Sequence, residues 1–232
     1  MSDSSSPLQA LYPFLHGDAK NPKLENANLL ESIRLKAEDS ISVKQQFFND
    51  NAQAIVDTAQ AIANCYKNNG RMLTMGNGGS SCDAAHFAVE FQHPVTAGRP
   101  ALAAINLSVD MAMISAVAND VGTKHVYVRQ LEAHGREHDA LVGFSTSGNS
   151  ANLIAAFAKA RQMKLTTIGL CGGNGGEMAS SGLVDHCLVV NTDSIHRVQE
   201  VHVATYHILW DLVHTLLADQ RGKLGNQLAG KS

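Results

Sequence analysis

A chain of 232 residues with a 44% hydrophobic content has enough material for one large continuous core, and nothing along it marks a second domain boundary. A formal net charge of −3 and a charged fraction of 17% argue against nucleic-acid binding through a general basic footprint, leaving room only for a local patch. The four cysteines, Cys65, Cys82, Cys171 and Cys187, are dispersed with no C-x-x-C pair and read as reduced packing residues.

Residues 1–24 are polar, contain proline and lack the basic flank and apolar core of an export signal, so they are expected to form a flexible extension. No segment approaches the ~18 consecutive apolar residues of a membrane span, and the expected localisation is cytoplasmic. Two helical stretches follow between Leu24 and about Lys67, separated near Asn49–Asn51. A helical hairpin ahead of any strand needs another surface to cover it, which points to subunit packing. Thereafter the pattern alternates. Apolar strands are expected at Arg71–Met75, Ala101–Asn106, Leu141–Phe144, Leu165–Cys171 and His186–Asn191. Helices are expected at about 80–91, 110–119, 124–135, 150–162 and 176–181, with a long final helix at about 195–219. Strands that are apolar throughout and separated by helices predict a parallel sheet covered on both faces, a three-layer αβα domain spanning residues 25–232.

Two strand-to-helix junctions carry the chemistry. Ser145-Thr-Ser-Gly-Asn-Ser150 offers an anion several hydroxyl donors at the positive end of a helix, with Ser150 placed as N-cap and Ser145, Thr146 and Ser147 facing the ligand. Taken alone it is equally a Ser-rich capped turn. Met75-Gly-Asn-Gly-Gly-Ser80 repeats the arrangement, with glycines that let the backbone approach a ligand closely. Neither loop has the Gly-Lys-Ser/Thr ending of a P-loop, and Gly76-Asn-Gly78 meets only the first half of the Rossmann pattern because Ser81 stands where the last glycine belongs. Two such loops at carboxyl ends of strands point to a small phosphorylated ligand in the crevice of an open α/β sheet.

The helix after the first loop places His86 and Glu90 at i and i+4, on one face, where they either share a metal ion or form a solvated helical contact. The last helix carries Arg197-Val-Gln199-Glu200-Val-His202 and His207. Its apolar spacing also allows Gln199 and His207 to be satisfied polar groups at the edge of a core helix. Eight residues along a straight helix rise roughly 12 Å, so Gln199 and His207 reach one ion only through long side chains, a bend or a neighbouring subunit. His93, His134, His138 and His202 read as surface or core histidines.

Together, Gly76-Asn-Gly-Gly-Ser80, Cys82-Asp83, His86-Phe-Ala-x-Glu90, Asn119-Asp120, Ser145-Thr-Ser-Gly-Asn-Ser150-Ala-Asn152 and Arg197-x-Gln199-Glu200-x-His202-x4-His207 resemble the sedoheptulose 7-phosphate isomerases (phosphoheptose isomerases) of the sugar-isomerase, or SIS, fold. The resemblance covers about residues 40–218, with the blocks in family order. It implies a homotetramer with a five-stranded flavodoxin-like sheet and active sites at subunit interfaces. It also implies a divalent metal, usually Zn2+, held by His86, Glu90, Gln199 and His207. The substrate-binding positions it implies are Asn77, Gly78, Gly79, Ser80, Glu90, Asn119, Asp120, Ser145, Thr146, Ser147, Ser150 and Gln199. Glu90 takes the part of catalytic base and His207 that of acid.

The chain departs from the family pattern at Ser81, where histidine is common, at Phe91-Gln-His-Pro94, where a basic segment is typical, and at His196, where an acidic residue is frequent. These positions border the expected sugar site and leave the sugar open. Two rivals share the fold. One is a non-catalytic regulator like the tetrameric protein that binds the replication initiator DnaA, a branch lacking the glutamate and final histidine of the metal set. The other is a sugar-phosphate sensor of a transcription factor, disfavoured because residues 1–40 hold no DNA-binding segment.

Overall fold

A computed structural model of the chain describes residues 22–218, with side chains from Asn26 onward; residues 1–21 of the extension expected for 1–24 and the part of the last helix expected beyond Ala218 lie outside them, while residues 22–24 open the first helix instead of belonging to the extension. Packing divides the chain into two units, residues 1–42 and 43–232.

The first helix, α1 (Pro22–Lys67), is continuous, so the expected hairpin is not formed. Proline at its first position fits a place where the N–H has no helical partner to lose. The helix runs through Asn49–Asn51 because Phe47 and Ile55 on either side are each 4% exposed, and Asn51 donates its amide to the Phe47 carbonyl at 3.0 Å. Asn and Asp cost at most about 0.7 kcal/mol each in a helix, whereas burying an Ile or Phe side chain contributes roughly 1.5–3 kcal/mol. Burial wins.

Beyond α1 the order is β1 (Met72–Gly76), α2 (Gly79–Gln92), β2 (Ala104–Asn106), α3 (Met111–Asp120), a 3-10 turn at Thr123–His125, α4 (Val126–His134), β3 (Ala140–Ser145), α5 (Ala151–Gln162), β4 (Thr166–Gly172), α6 (Gly176–Ser180), β5 (His186–Val190) and α7 (Ile195–Leu216). The five strands pair in parallel in the order β2-β1-β3-β4-β5, the flavodoxin-like arrangement. β2 is shorter than its apolar run predicts, because Leu102 leaves the sheet to donate its N–H to the Phe91 carbonyl at the end of α2.

Strand side chains alternate between two cores. Met72, Val142, Phe144 and Leu170 pack with α2, α7 and the second half of α1, while Leu73, Met75, Leu141 and Cys171 pack with α4 and α5. Apolar residues on both faces of each strand are what a sheet covered on both sides requires, and the result is a three-layer αβα sandwich. The chain reverses its direction of travel across the sheet between β1 and β3. Ligands of such sheets bind outside the strand ends at this point, and both polar loops are there.

Candidate active site

The β1 loop is shaped by Gly76, where a Cβ would fall 2.2 Å from the Ser80 carbonyl oxygen, so any side chain would force the turn open. In the β3 loop Gly148 has φ +67° and passes the Gly175 carbonyl so closely that a Cβ would meet its oxygen at 2.1 Å. This fixes the hydroxyls around it. Ser145 is buried, shares a hydrogen bond of 3.0 Å with the Ser150 hydroxyl and accepts the Gly148 N–H at 3.2 Å. Ser147 is exposed and accepts the Asn149 N–H at 3.3 Å.

Ser150 stands at the N-cap position of α5, yet its hydroxyl makes no capping bond. Its partner is Ser145, so the expected cap is replaced by a hydroxyl pair. Asn77 and Asn152 tie the two loops together through reciprocal amide bonds of 2.9 Å each. The Tyr127 hydroxyl braces the same point by donating to the Gly76 carbonyl. Beside this bridge lies a cavity of about 290 Å³ lined by Gly76, Asn77, Ser108, Tyr127 and Asn152. Asn119 and Asp120, at the end of α3, are exposed and bonded to each other at 2.7 Å.

On the other face of the sheet α2 and α7 bring three ligating side chains together. The donor atoms of His86, Glu90 and His207 all lie within 4.8 Å of one another. His86 Nε2 is 3.1 Å from Glu90 Oε1, and the His86 and His207 rings are 5.0 Å apart between centroids. Two imidazoles and a carboxylate suit zinc, which takes nitrogen and oxygen donors and keeps a free position in catalytic sites. Gln199 reaches the start of α2, where its Nε2 would stand 2.4 Å from a Cβ on Gly79. That is seven residues before His86, a rise of roughly 10 Å along α2.

The surroundings include residues that sequence reasoning did not single out. Tyr206 Oη lies 2.7 Å from His86 Nδ1, and Trp210 donates its indole N–H to the Glu90 carbonyl at 2.8 Å. The Arg99 guanidinium lies 4.2 Å from the centroid of the Trp210 ring. Burial raises the Tyr206 phenol, with the negative charges of Asp83 and Glu90 adding to the effect. Asp83, one turn before His86, is 7% exposed, and burial raises its carboxyl to about 6 against the opposing charge of His86. His202 is a core histidine, packed edge-on to Phe144 and lowered to about 4 by burial, with only the Cys171 backbone opposing.

Residues 37–172 match the SIS domain family. The phosphoheptose isomerase of Desulfovibrio desulfuricans is 39% identical over 204 residues, 88% of this chain and 96% of that protein. That of Pelodictyon phaeoclathratiforme is 44% identical over 181 residues, 77% of this chain and 85% of that one. The structure of the Neisseria gonorrhoeae phosphoheptose isomerase GmhA superimposes with a TM-score of 0.75 at 36% identity, covering 81% of this chain and 99% of that one. The chain belongs to the phosphoheptose isomerase family.

Proposed function

We propose that the protein interconverts sedoheptulose 7-phosphate and D-glycero-D-manno-heptose 7-phosphate as a cytoplasmic homotetramer holding one zinc ion per subunit. The cluster of His86, Glu90 and His207 is the observation that carries this reading. These residues would hold the ion, which when bound supplies an electrophile for the two oxygens that exchange roles.

The remaining work falls to side chains of the protein. Ser145, Thr146, Ser147 and Ser150, with the Asn77–Ser80 loop, hold the phosphate, and Asn119, Asp120 and Gln199 contact the sugar. Binding energy gained at the phosphate orients the carbons at the other end. Glu90 removes a proton from C1 of the ketose while His207 protonates the carbonyl oxygen at C2, which gives an enediol. Glu90 returns its proton to C2 and His207 takes one from the C1 hydroxyl, leaving the aldose with protons in balance. Gln199, whose Nε2 lies beside Gly79 at the start of α2, completes the proposed ligand set.

The test is aldose formation from a panel of C5 to C7 ketose phosphates, with and without added zinc. Turnover of sedoheptulose 7-phosphate above the shorter sugars, abolished by chelation and restored by zinc, is expected. Preference for a shorter ketose would overturn the substrate, and full activity in metal-free protein would overturn the metal.

A further inference from the structure

Tyr206 takes no part in the chemistry above, yet it is built into the cluster. It is 1% exposed, and its ring lies 4.8 Å from the His207 ring, 5.2 Å from that of His86 and 5.6 Å from that of Phe87 between centroids. Packed among these rings, its hydroxyl lies 2.7 Å from His86 Nδ1. The two nitrogens of His86 therefore face different partners: Nδ1 the phenol, Nε2 the Glu90 carboxylate.

A neutral imidazole carries one proton, and only the nitrogen without it can bind a metal. We infer that Tyr206 is a positioning residue of the metal centre, whose hydroxyl accepts the Nδ1–H of His86 and so presents a bare Nε2 toward Glu90 and His207. The resulting order is phenol, imidazole, metal, in which the phenol sets the ring's tautomer and strengthens it as a ligand. The inference rests on the metal reading proposed above.

The experiment measures zinc affinity of the full-length protein by competition with a chromophoric chelator, for wild type, Tyr206→Phe and Thr205→Val. Thr205 is the neighbouring buried hydroxyl on α7 and donates to the Val201 carbonyl at 2.7 Å, so it reports the cost of disturbing the helix. Tyr206→Phe is expected to weaken zinc binding by roughly 10- to 100-fold, while Thr205→Val stays within about two-fold. In parallel, nitrogen-15 NMR of zinc-loaded wild type should show His86 protonated on Nδ1 and metallated on Nε2. That reading stands even if Tyr206→Phe folds poorly. Wild-type affinity in Tyr206→Phe, an equal loss in Thr205→Val, or zinc on Nδ1 would each overturn the positioning role while leaving the metal centre in place. Wild type that takes up no zinc would overturn both.

Discussion

Glu90 is where the two functions of the cluster meet, since the same carboxylate faces His86 and is proposed to move the substrate proton. Glu90→Gln nearly preserves shape and removes the base, so turnover should fall by about 10²- to 10⁴-fold while sugar-phosphate binding, measured by calorimetry, persists. Retention of more than a tenth of wild-type turnover would remove Glu90 from that role. His86→Ala deletes a ligand and should lower metal content and rate in parallel, as read by elemental analysis beside the assay. A variant that lost activity at full metal content would separate the two. His86 and Glu90 are legible in the sequence because helical spacing alone puts them on one face. Tyr206 is not, because it falls on the buried stripe of α7 with His202 and Leu209 and so looks like any core aromatic. Only the tertiary approach of α7 to α2 turns its hydroxyl into a partner of His86.

The two loops show what local sequence can and cannot give. Their positions after apolar strands were readable, and the strand order then brings them to one crevice, which no local pattern states. The bridge between Asn77 and Asn152 spans 75 residues and depends wholly on that order. Ser150 illustrates the limit in the other direction: N-cap preference is correct about its place and wrong about its bond, because a second hydroxyl competes for it. The same competition decided α1, where burial on both sides of Asn49–Asn51 outweighed weak propensity. If the β3 loop holds the phosphate, Ser147→Ala and Ser150→Ala each remove a hydrogen bond to a charged group. Each should cost roughly 1.5–3 kcal/mol, about ten- to a hundred-fold in kcat/KM, mostly through KM. Kinetics of both variants matching wild type would move the phosphate to the Asn77–Ser80 loop.

Stability of the whole molecule should respond to two buried groups that pull in opposite directions. His202 falls from 6.5 to about 4 in the fold, so on acidification the unfolded chain takes a proton that the folded one refuses. Stability is lost across that window by up to roughly 3 kcal/mol. Asp83 rises from 3.8 to about 6, so the folded form takes its proton first and gains stability over much of the same range. The pair should leave the melting temperature of the metal-free protein nearly level between about pH 6.5 and 4. In His202→Leu the Asp83 trend stands alone and the melting temperature should climb as pH falls; a decline would show that another group controls the acid limb. Assembly is the last consequence. Leu30, Ile33 and Ile41 lie along one stripe of α1 and are 61%, 66% and 64% exposed, an apolar surface that a second copy of the chain would cover. Light scattering should show a tetramer for wild type and smaller species for the double variant Leu30→Glu, Ile33→Glu. If the active sites lie at subunit interfaces, the dissociated variant should also bind zinc more weakly and turn over less, although His86, Glu90 and His207 are untouched. A monomeric variant with wild-type activity and zinc affinity would place the entire site within one chain and dissolve the need for a neighbouring subunit.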